Sequence, residues 1–485
     1  MAEESLKSKT IKGTFWSAAD AFLAQGVSFI VGIVLARLLT PAEYGLIGIC
    51  LIFTSVLTGI VDSGFSNALI RKKETSNDDY TTMFYTNLAL SVLLYIVLFL
   101  SAPTIARFFA RPELVNLVRA MGWILIIQAL SLVQNTILTK RIDFKTKTKA
   151  SVIAAVISGA LGITMAFGGC GVWALVGQQL SRQVLYTICL WLFNKWWPSL
   201  TFSIQSFRYM WGFGWKMMLS GLLANIWNQL YGVVVGKWYS PVTLGQYSRS
   251  KEYASIFSQN FTIIIQRVSF PSLATIQDDT ERMVAAFRHV IKLSMFVVSI
   301  CMISLAAVSE PLIYCLIGPQ WHEAATYLPL ICLSMSLYPL HAINLNMLQI
   351  QGRSDIFLVL EIVKKIIAIG PLCLGVFVGI YWMLIGGVIC DIICFFLNSF
   401  YTGRALNYNS WMQLKDIAPG YELAALIAIA VYFLKFLPLS YWIILPLQIV
   451  IGVAIFFLIC ERVKVSEYLE LKGIVKAEID KIKAK

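Results

Sequence analysis

The chain has 485 residues, 58% of them hydrophobic and 13% charged, with a mean hydropathy of +0.74. Soluble chains carry about 25% charged residues, so this one lies far outside that class. A net charge of +13 therefore has to be explained within a membrane protein.

A helix that crosses the bilayer core needs about 20 predominantly apolar residues. The chain supplies about fourteen such stretches, which makes it an all-α polytopic membrane protein. The first thirteen residues hold Glu3, Glu4, Lys7, Lys9 and Lys12, and no small-residue cleavage site leads into a soluble domain. The first span is therefore expected to be retained and to start from the cytoplasm. It is expected near 14–37 and is followed by spans near 43–68, 82–106, 114–139, 150–167 and 172–194. A second group lies near 209–236, 244–273, 289–309, 324–350, 356–379 and 381–402, and a last pair near 418–437 and 441–461. Lys and Arg gather at "IRKKETS", at "TKRIDFKTKTK", near Arg282 and Arg288, and in the C-terminal tail. With the N-terminus inside, roughly two dozen cations face the cytoplasm against about half a dozen outside, a positive-inside bias. The charge thus reports topology, with both termini cytoplasmic, and implies no nucleic-acid partner.

The segment "ARLLTPAEYGL" is echoed 200 residues later by "GKWYSPVTLGQ". At that offset Arg37 pairs with Lys237, Thr40 with Ser240, Pro41 with Pro241 and Gly45 with Gly245. The echo runs back to Gln25 with Asn225 and Gly32 with Gly232, and forward to Asp79 with Asp279. In each turn, proline is expected to stop one helix and glycine to relax the backbone before the next. Six spans separate the copies, so both have the same orientation, as in transporters built from parallel repeats. The expected organisation is an N-terminal lobe over 1–205 and a C-terminal lobe over 206–410, with six helices each. Two additional helices over 411–462 and a basic tail over 463–485 complete the chain.

Polar groups within spans are costly in hydrocarbon and usually face protein or a wet cavity. In the eighth span, Arg249, Glu252, Tyr253, Asn260 and Arg267 fall on one stripe; in the seventh, Asn225, Asn228, Gln229 and Gly232 follow i, i+3, i+4, i+7. The first span offers Asp20 and Gln25, and the second offers Thr54, Thr58, Asp62 and Ser66. These helices are expected to line a central cavity. Packing between helices is the competing reading for the hydroxyls and amides. Further candidates are Arg119, Gln178, Gln179, Arg182, Lys216, Lys292, Glu361, Lys364 and Asp391, several of them near span ends, where snorkelling explains them. The ten cysteines and His289, His322 and His341 show no metal spacing, and neither a metal nor another cofactor is expected.

"FWSAADAFLAQGVSFIVGIVLARLLTPAEYGLIGI", followed by "DSGFSNALIRKK", resembles the N-terminal signature of bacterial polysaccharide exporters. These belong to the multidrug/oligosaccharidyl-lipid/polysaccharide flippase superfamily, and "LGQYSRSKEYA" is similar to their second-repeat counterpart. The resemblance implies a non-enzymatic flippase of the bacterial plasma membrane. It would move undecaprenyl-diphosphate-linked oligosaccharides to the periplasmic leaflet for O-antigen, capsule or exopolysaccharide synthesis. It also implies a polysaccharide polymerase and other assembly proteins as partners. Arg249 suits the diphosphate, and Asn225, Asn228 and Gln229 suit sugar hydroxyls. A lipid II flippase and a drug or cation antiporter of the same superfamily remain open, the latter compatible with Asp20 and Asp62. A polymerase or ligase would need a sizeable outward catalytic domain, and the longest outward loop, near 311–323, is too short for one.

Overall fold

The structure is a computed structural model that describes residues 23–62, 64–276 and 279–483. No β-strand occurs among them. Ten helices or helix pairs among the described residues are long and apolar enough to cross a membrane. By packing, the chain divides into two compact units, Met1–Gly245 and Gln246–Lys485.

The first unit opens with α1 (Leu23–Leu38), a shorter apolar helix. It continues with α2 (Pro41–Asp62), α3 (Phe65–Arg71), α4 (Asn77–Phe109), α5 (Leu114–Met121) and α6 (Trp123–Lys140). Then come α7 (Phe144–Phe167), α8 (Val172–Asn194), α9 (Ile204–Trp238) and the start of α10 (Pro241–Ala274). Two of these helices coincide with expected spans yet do not qualify on composition. Gln178, Gln179, Arg182 and Gln183 make α8 polar, and Arg249, Lys251, Glu252 and Arg267 do the same for α10.

The repeated turn proves to be a helix start. Pro41 opens α2, where its missing N–H costs nothing. Thr40 donates from its backbone N–H and its hydroxyl to Glu43 Oε2, at 2.7 and 2.9 Å. In the second copy the hydroxyl of Ser240 accepts from the N–H of Thr243 at 3.1 Å. The glycines correct the sequence reading, because both lie inside helices and neither relaxes a turn. A Cβ on Gly45 would land on the carbonyl of Pro241, whose Cα would be 2.8 Å away. A Cβ on Gly245 would land on the carbonyl of Pro41, with Gly45 N at 3.1 Å. Both contacts lie within the first unit, and each turn fills the space that the other's missing side chain leaves.

Elsewhere in this unit, α7 presents Ala150, Ala154, Ser158 and Gly162, four apart and all buried. That small-residue ridge lets α8 approach closely, as membrane helices do where apolar burial alone cannot drive association. At one end, Ser76 caps α4 in a capping box with Asp79, which also binds Lys72 Nζ at 2.7 and 2.8 Å. Lys140 Nζ donates to the carbonyls of Leu69 (3.2 Å) and Lys72 (2.5 Å), groups that the end of α3 leaves unpaired. The segment 195–203 is fixed to α4 and α6. Trp196 Nε1 donates to Asn77, Gln134 donates to the Trp196 carbonyl, both at 2.8 Å, and the Thr201 hydroxyl donates to Asp78 at 2.7 Å.

The second unit holds the rest of α10 with α11 (Thr280–Ala307), α12 (Ser309–Leu316), α13 (His322–Ser336) and α14 (Tyr338–Ile350). It continues with α15 (Ser354–Ile367), α16 (Ile369–Phe377), α17 (Ile380–Leu406), α18 (Ser410–Tyr432), α19 (Tyr441–Val463) and α20 (Ser466–Lys483). The stretch read as a loop near 311–323 is largely helical, formed by α12, a 3-10 turn at Pro319–Trp321 and the start of α13. The acid at Asp279 caps α11, accepting from the N–H of Arg282 at 3.1 Å. Phe287, Ile291, Met295, Leu340, Met347 and Tyr408 form the apolar core. Within it, Asn344 donates to Gln413 at 3.0 Å and accepts from the Thr402 hydroxyl at 2.6 Å, so these buried polar groups are satisfied. Asp416 on α18 accepts two bonds from Arg288 (2.5 and 2.7 Å) and one from Tyr408 (2.7 Å), with Lys292 at 3.3 Å. Helix α20 is tied back by His289–Glu470 (2.9 Å) and by Tyr468 and Lys472 on Glu461. The hydrogen bond to Glu461 raises the pKa of the Lys472 ammonium above its ordinary value.

Candidate substrate cavity

A polar cavity of about 410 Å³ lies within the first unit. Two helices supply most of its wall, each with the i, i+3, i+4, i+7 register of a single helix face. Leu51, Thr54, Ser55 and Thr58 come from α2; Gln179, Arg182, Gln183 and Tyr186 come from α8. Gln128 on α6 and Ser151 on α7 complete the polar lining. Thr54 and Thr58 donate to carbonyls of their own helix, Cys50 at 3.1 Å and Ser55 at 3.0 Å. Bonded that way, they turn acceptor lone pairs to the space instead of competing as donors. One guanidinium, three amides, several hydroxyls and a phenol therefore surround the cavity, and among the described residues no carboxylate lines it. Chemically this set suits hydroxyl-rich and oxyanionic groups.

Several residues expected at the site meet this wall. Gln229 Nε2 on α9 donates to the hydroxyl of Ser55 at 2.9 Å. The amide of Asn225 occupies the space beside Gly59 where a side chain would otherwise project, and Gly232 lies against Ile52. The predicted stripe of α9 thus packs on α2, which gives Asn225 and Gln229 a helix-pairing part as well. Asn228 and Gln25 are exposed. Asp62, also exposed, accepts from the Ser66 hydroxyl at 2.9 Å. Asp20 lies outside the described residues.

The α10 residues belong to the second unit. Arg249 is 7% exposed and donates from Nη1 to Glu252 Oε2 at 2.7 Å, while the Glu252 side chain is 51% exposed. Asn260 donates to the Ile256 carbonyl of its own helix at 2.7 Å. Of the further candidates, Gln179 and Arg182 line the cavity. Gln128, Ser151 and Gln183 were not anticipated, although the spacing of Gln179, Arg182, Gln183 and Tyr186 was available as a signal. Among the described residues no group of three or more His, Cys, Asp or Glu could hold a metal.

A family profile described as "Polysaccharide biosynthesis protein" matches residues 34–326. The succinoglycan biosynthesis transport protein ExoT of Rhizobium meliloti (strain 1021) is 26% identical over 334 residues, 69% of this chain and 68% of that one. The lipopolysaccharide biosynthesis protein WzxC of Escherichia coli (strain K12) is 23% identical over 414 residues, 84% of each chain. Among solved structures, the lipid II flippase MurJ in an inward closed conformation superimposes with a TM-score of 0.71 at 14% identity, covering 92% of this chain and 97% of that one. An inward-facing multidrug resistance MATE transporter of the MOP superfamily gives 0.60 at 18% identity, covering 80% and 95%. At such identities the likeness concerns the fold. The chain is a multi-pass membrane protein with the fold of the multidrug/oligosaccharidyl-lipid/polysaccharide flippase superfamily, and it belongs to the polysaccharide biosynthesis protein family.

Proposed function

We propose that the chain is a flippase that carries undecaprenyl-diphosphate-linked oligosaccharides from the cytoplasmic to the periplasmic leaflet of the bacterial plasma membrane. The reading is supported above all by a cation- and amide-lined cavity between α2 and α8 in a member of this family. A lipid-linked sugar carries a diphosphate and many hydroxyls that hydrocarbon cannot solvate, so transfer needs polar partners inside the span. In this proposal Arg182 and Arg249 offer guanidinium to oxyanions. Gln128, Gln179, Gln183, Asn225, Asn228 and Gln229 meet sugar hydroxyls, while Asp20, Gln25, Asp62, Glu252 and Asn260 complete the polar faces. The prenyl tail stays in lipid.

The proposal includes fourteen spans, six-helix lobes over 1–205 and 206–410, two additional helices over 411–462, a basic tail over 463–485 and cytoplasmic termini. It also includes a working association with a polysaccharide polymerase. Transport proceeds by alternating access and makes or breaks no covalent bond. Purified protein in liposomes should move a fluorescent lipid-linked oligosaccharide between leaflets and return it chemically unchanged. Glycosyl transfer or diphosphate cleavage by the purified protein would refute the reading, as would leaflet exchange no faster than in empty liposomes.

A further inference from the structure

The first of the two helices that the repeat does not require helps to build a second cavity. It lies within the second unit, has a volume of about 810 Å³, and is an open cleft bordered by α11, α12, α13 and α18 with the 3-10 turn Phe433–Phe436. Sites that hold small molecules span about 300–1,000 Å³. Its two ends differ in chemistry. Along its length Ala306, Ala307, Ala325 and Ala428 keep the wall thin. Leu333 and Ile429 border it with apolar surface exposed, which in a bilayer faces hydrocarbon.

The other end is charged. Glu310 accepts from the Tyr441 hydroxyl at 2.7 Å and from Lys435 Nζ at 3.2 Å. Lys435 Nζ also sits over the rings of Tyr432, 4.1 Å from the centroid, and Phe436, at 5.2 Å. His322, Ser309 and Thr326 complete this end. One fixed cation and one fixed carboxylate therefore share the mouth of an apolar trough. A purely anionic headgroup would gain Lys435 and meet Glu310; a cationic one would face the reverse. A headgroup bearing both a phosphate and a primary ammonium complements both, and each protein charge keeps its aromatic or phenolic support.

We propose that this cleft is a binding site for a zwitterionic phospholipid of the ethanolamine type. Its phosphate sits on Lys435, its ammonium donates to Glu310, and an acyl chain fills the alanine-walled trough. The site gives α18 and the turn after it a task separate from substrate passage, so it can be tested without a transport assay.

The test uses the full chain, purified in mild detergent, stripped of lipid and returned to nanodiscs of phosphatidylethanolamine, phosphatidylcholine or phosphatidylglycerol. Phospholipid retained per chain after detergent exchange is then measured by native mass spectrometry, with the thermal midpoint recorded for every variant. Wild type should retain about one phosphatidylethanolamine, less phosphatidylcholine, whose quaternary ammonium cannot donate, and least phosphatidylglycerol. The double variant Glu310→Gln/Lys435→Gln should lower retention of phosphatidylethanolamine about tenfold or more, because both charge-assisted contacts go. The exchanged pair Glu310→Lys/Lys435→Glu should recover retention, since both charges remain. Ala428→Trp, which fills the trough and leaves the charges alone, should reduce retention of all three lipids. Equal retention in the double neutral variant would overturn the proposal. So would a preference for phosphatidylglycerol in wild type, or displacement of phosphatidylethanolamine by an equimolar polyprenyl phosphate.

Discussion

Neutralising Arg249 distinguishes a structural ion pair from a substrate contact, because the two predict different magnitudes. Its partner Glu252 is half exposed, so water screens the attraction. A pair of this kind, three residues apart on one helix, contributes about 0.3–1 kcal/mol. Removing the pair as a whole should therefore shift the thermal midpoint only slightly. A guanidinium that holds a diphosphate is another matter. Hydrogen bonds to charged groups contribute about 1.5–3 kcal/mol, equivalent to about a 10- to 150-fold loss of transport when they are removed. Arg249→Ala should thus lose transport in liposomes by that factor while the protein stays at normal levels in membranes. Arg249→Lys should recover only part of it, because it keeps the charge and loses the planar fork. Glu252→Gln should retain most transport. In the double replacement Arg249→Gln/Glu252→Gln no unpaired charge is left, so transport should return if Arg249 serves only to neutralise Glu252. Rescue by that double variant, or full activity in Arg249→Ala, would refute the assignment of Arg249 to substrate.

Gly45→Ala should lower the thermal midpoint, since its Cβ meets backbone of Pro241 that no rotamer change can move; overpacking of this kind costs about 1–3 kcal/mol. Gly45→Ala/Gly245→Ala should cost less than the two single changes summed, because both strain one approach, whereas Gly221→Ala, with open space at its Cβ, should be neutral or stabilising; a fully additive double variant would argue against a shared contact. Asp416→Asn should destabilise the second unit by about 1.5–3 kcal/mol, because Arg288 and Lys292 lose their charged acceptor; an unchanged midpoint in thermal unfolding would count against this network. In a cysteine-free background, cysteine at 168 or 440 should be labelled from outside and cysteine at 146 only after permeabilisation; external labelling at 146 would overturn the proposed topology.

Helix positions were legible because the constraint that sets them is one-dimensional. A span must be apolar over its length, and the run of residues says so directly. The same signal was weakest at α8 and α10, which carry amides and charges that make them poor hydrocarbon solutes. The cavity was half legible. The hydroxyl-bearing face of α2 and the amide face of α9 could be read from spacing, yet the Gln229–Ser55 bond joins residues far apart in the chain, and no periodicity pairs them. Arg182 was visible only as a charge near a span end, where snorkelling is the usual explanation. Its register with Gln179, Gln183 and Tyr186 becomes meaningful once α2 is known to face it. Gly45 was misread because a glycine four residues after a proline looks like part of a turn; its reason for being lies 196 residues away at Pro241.

The reciprocal seating of the two glycine–proline segments has a consequence for how the two similar segments can vary. Most residues in either copy answer only to their own surroundings, so the copies can drift apart, as Glu43 and Thr243 have done. Gly45 and Gly245 answer to the other copy as well. A larger residue at one is tolerated only if the backbone opposite has already withdrawn, and that withdrawal must happen in a segment encoded 200 codons away. Across related sequences, these two positions should therefore change together or not at all, and they should stay alike after the surrounding helices have ceased to match.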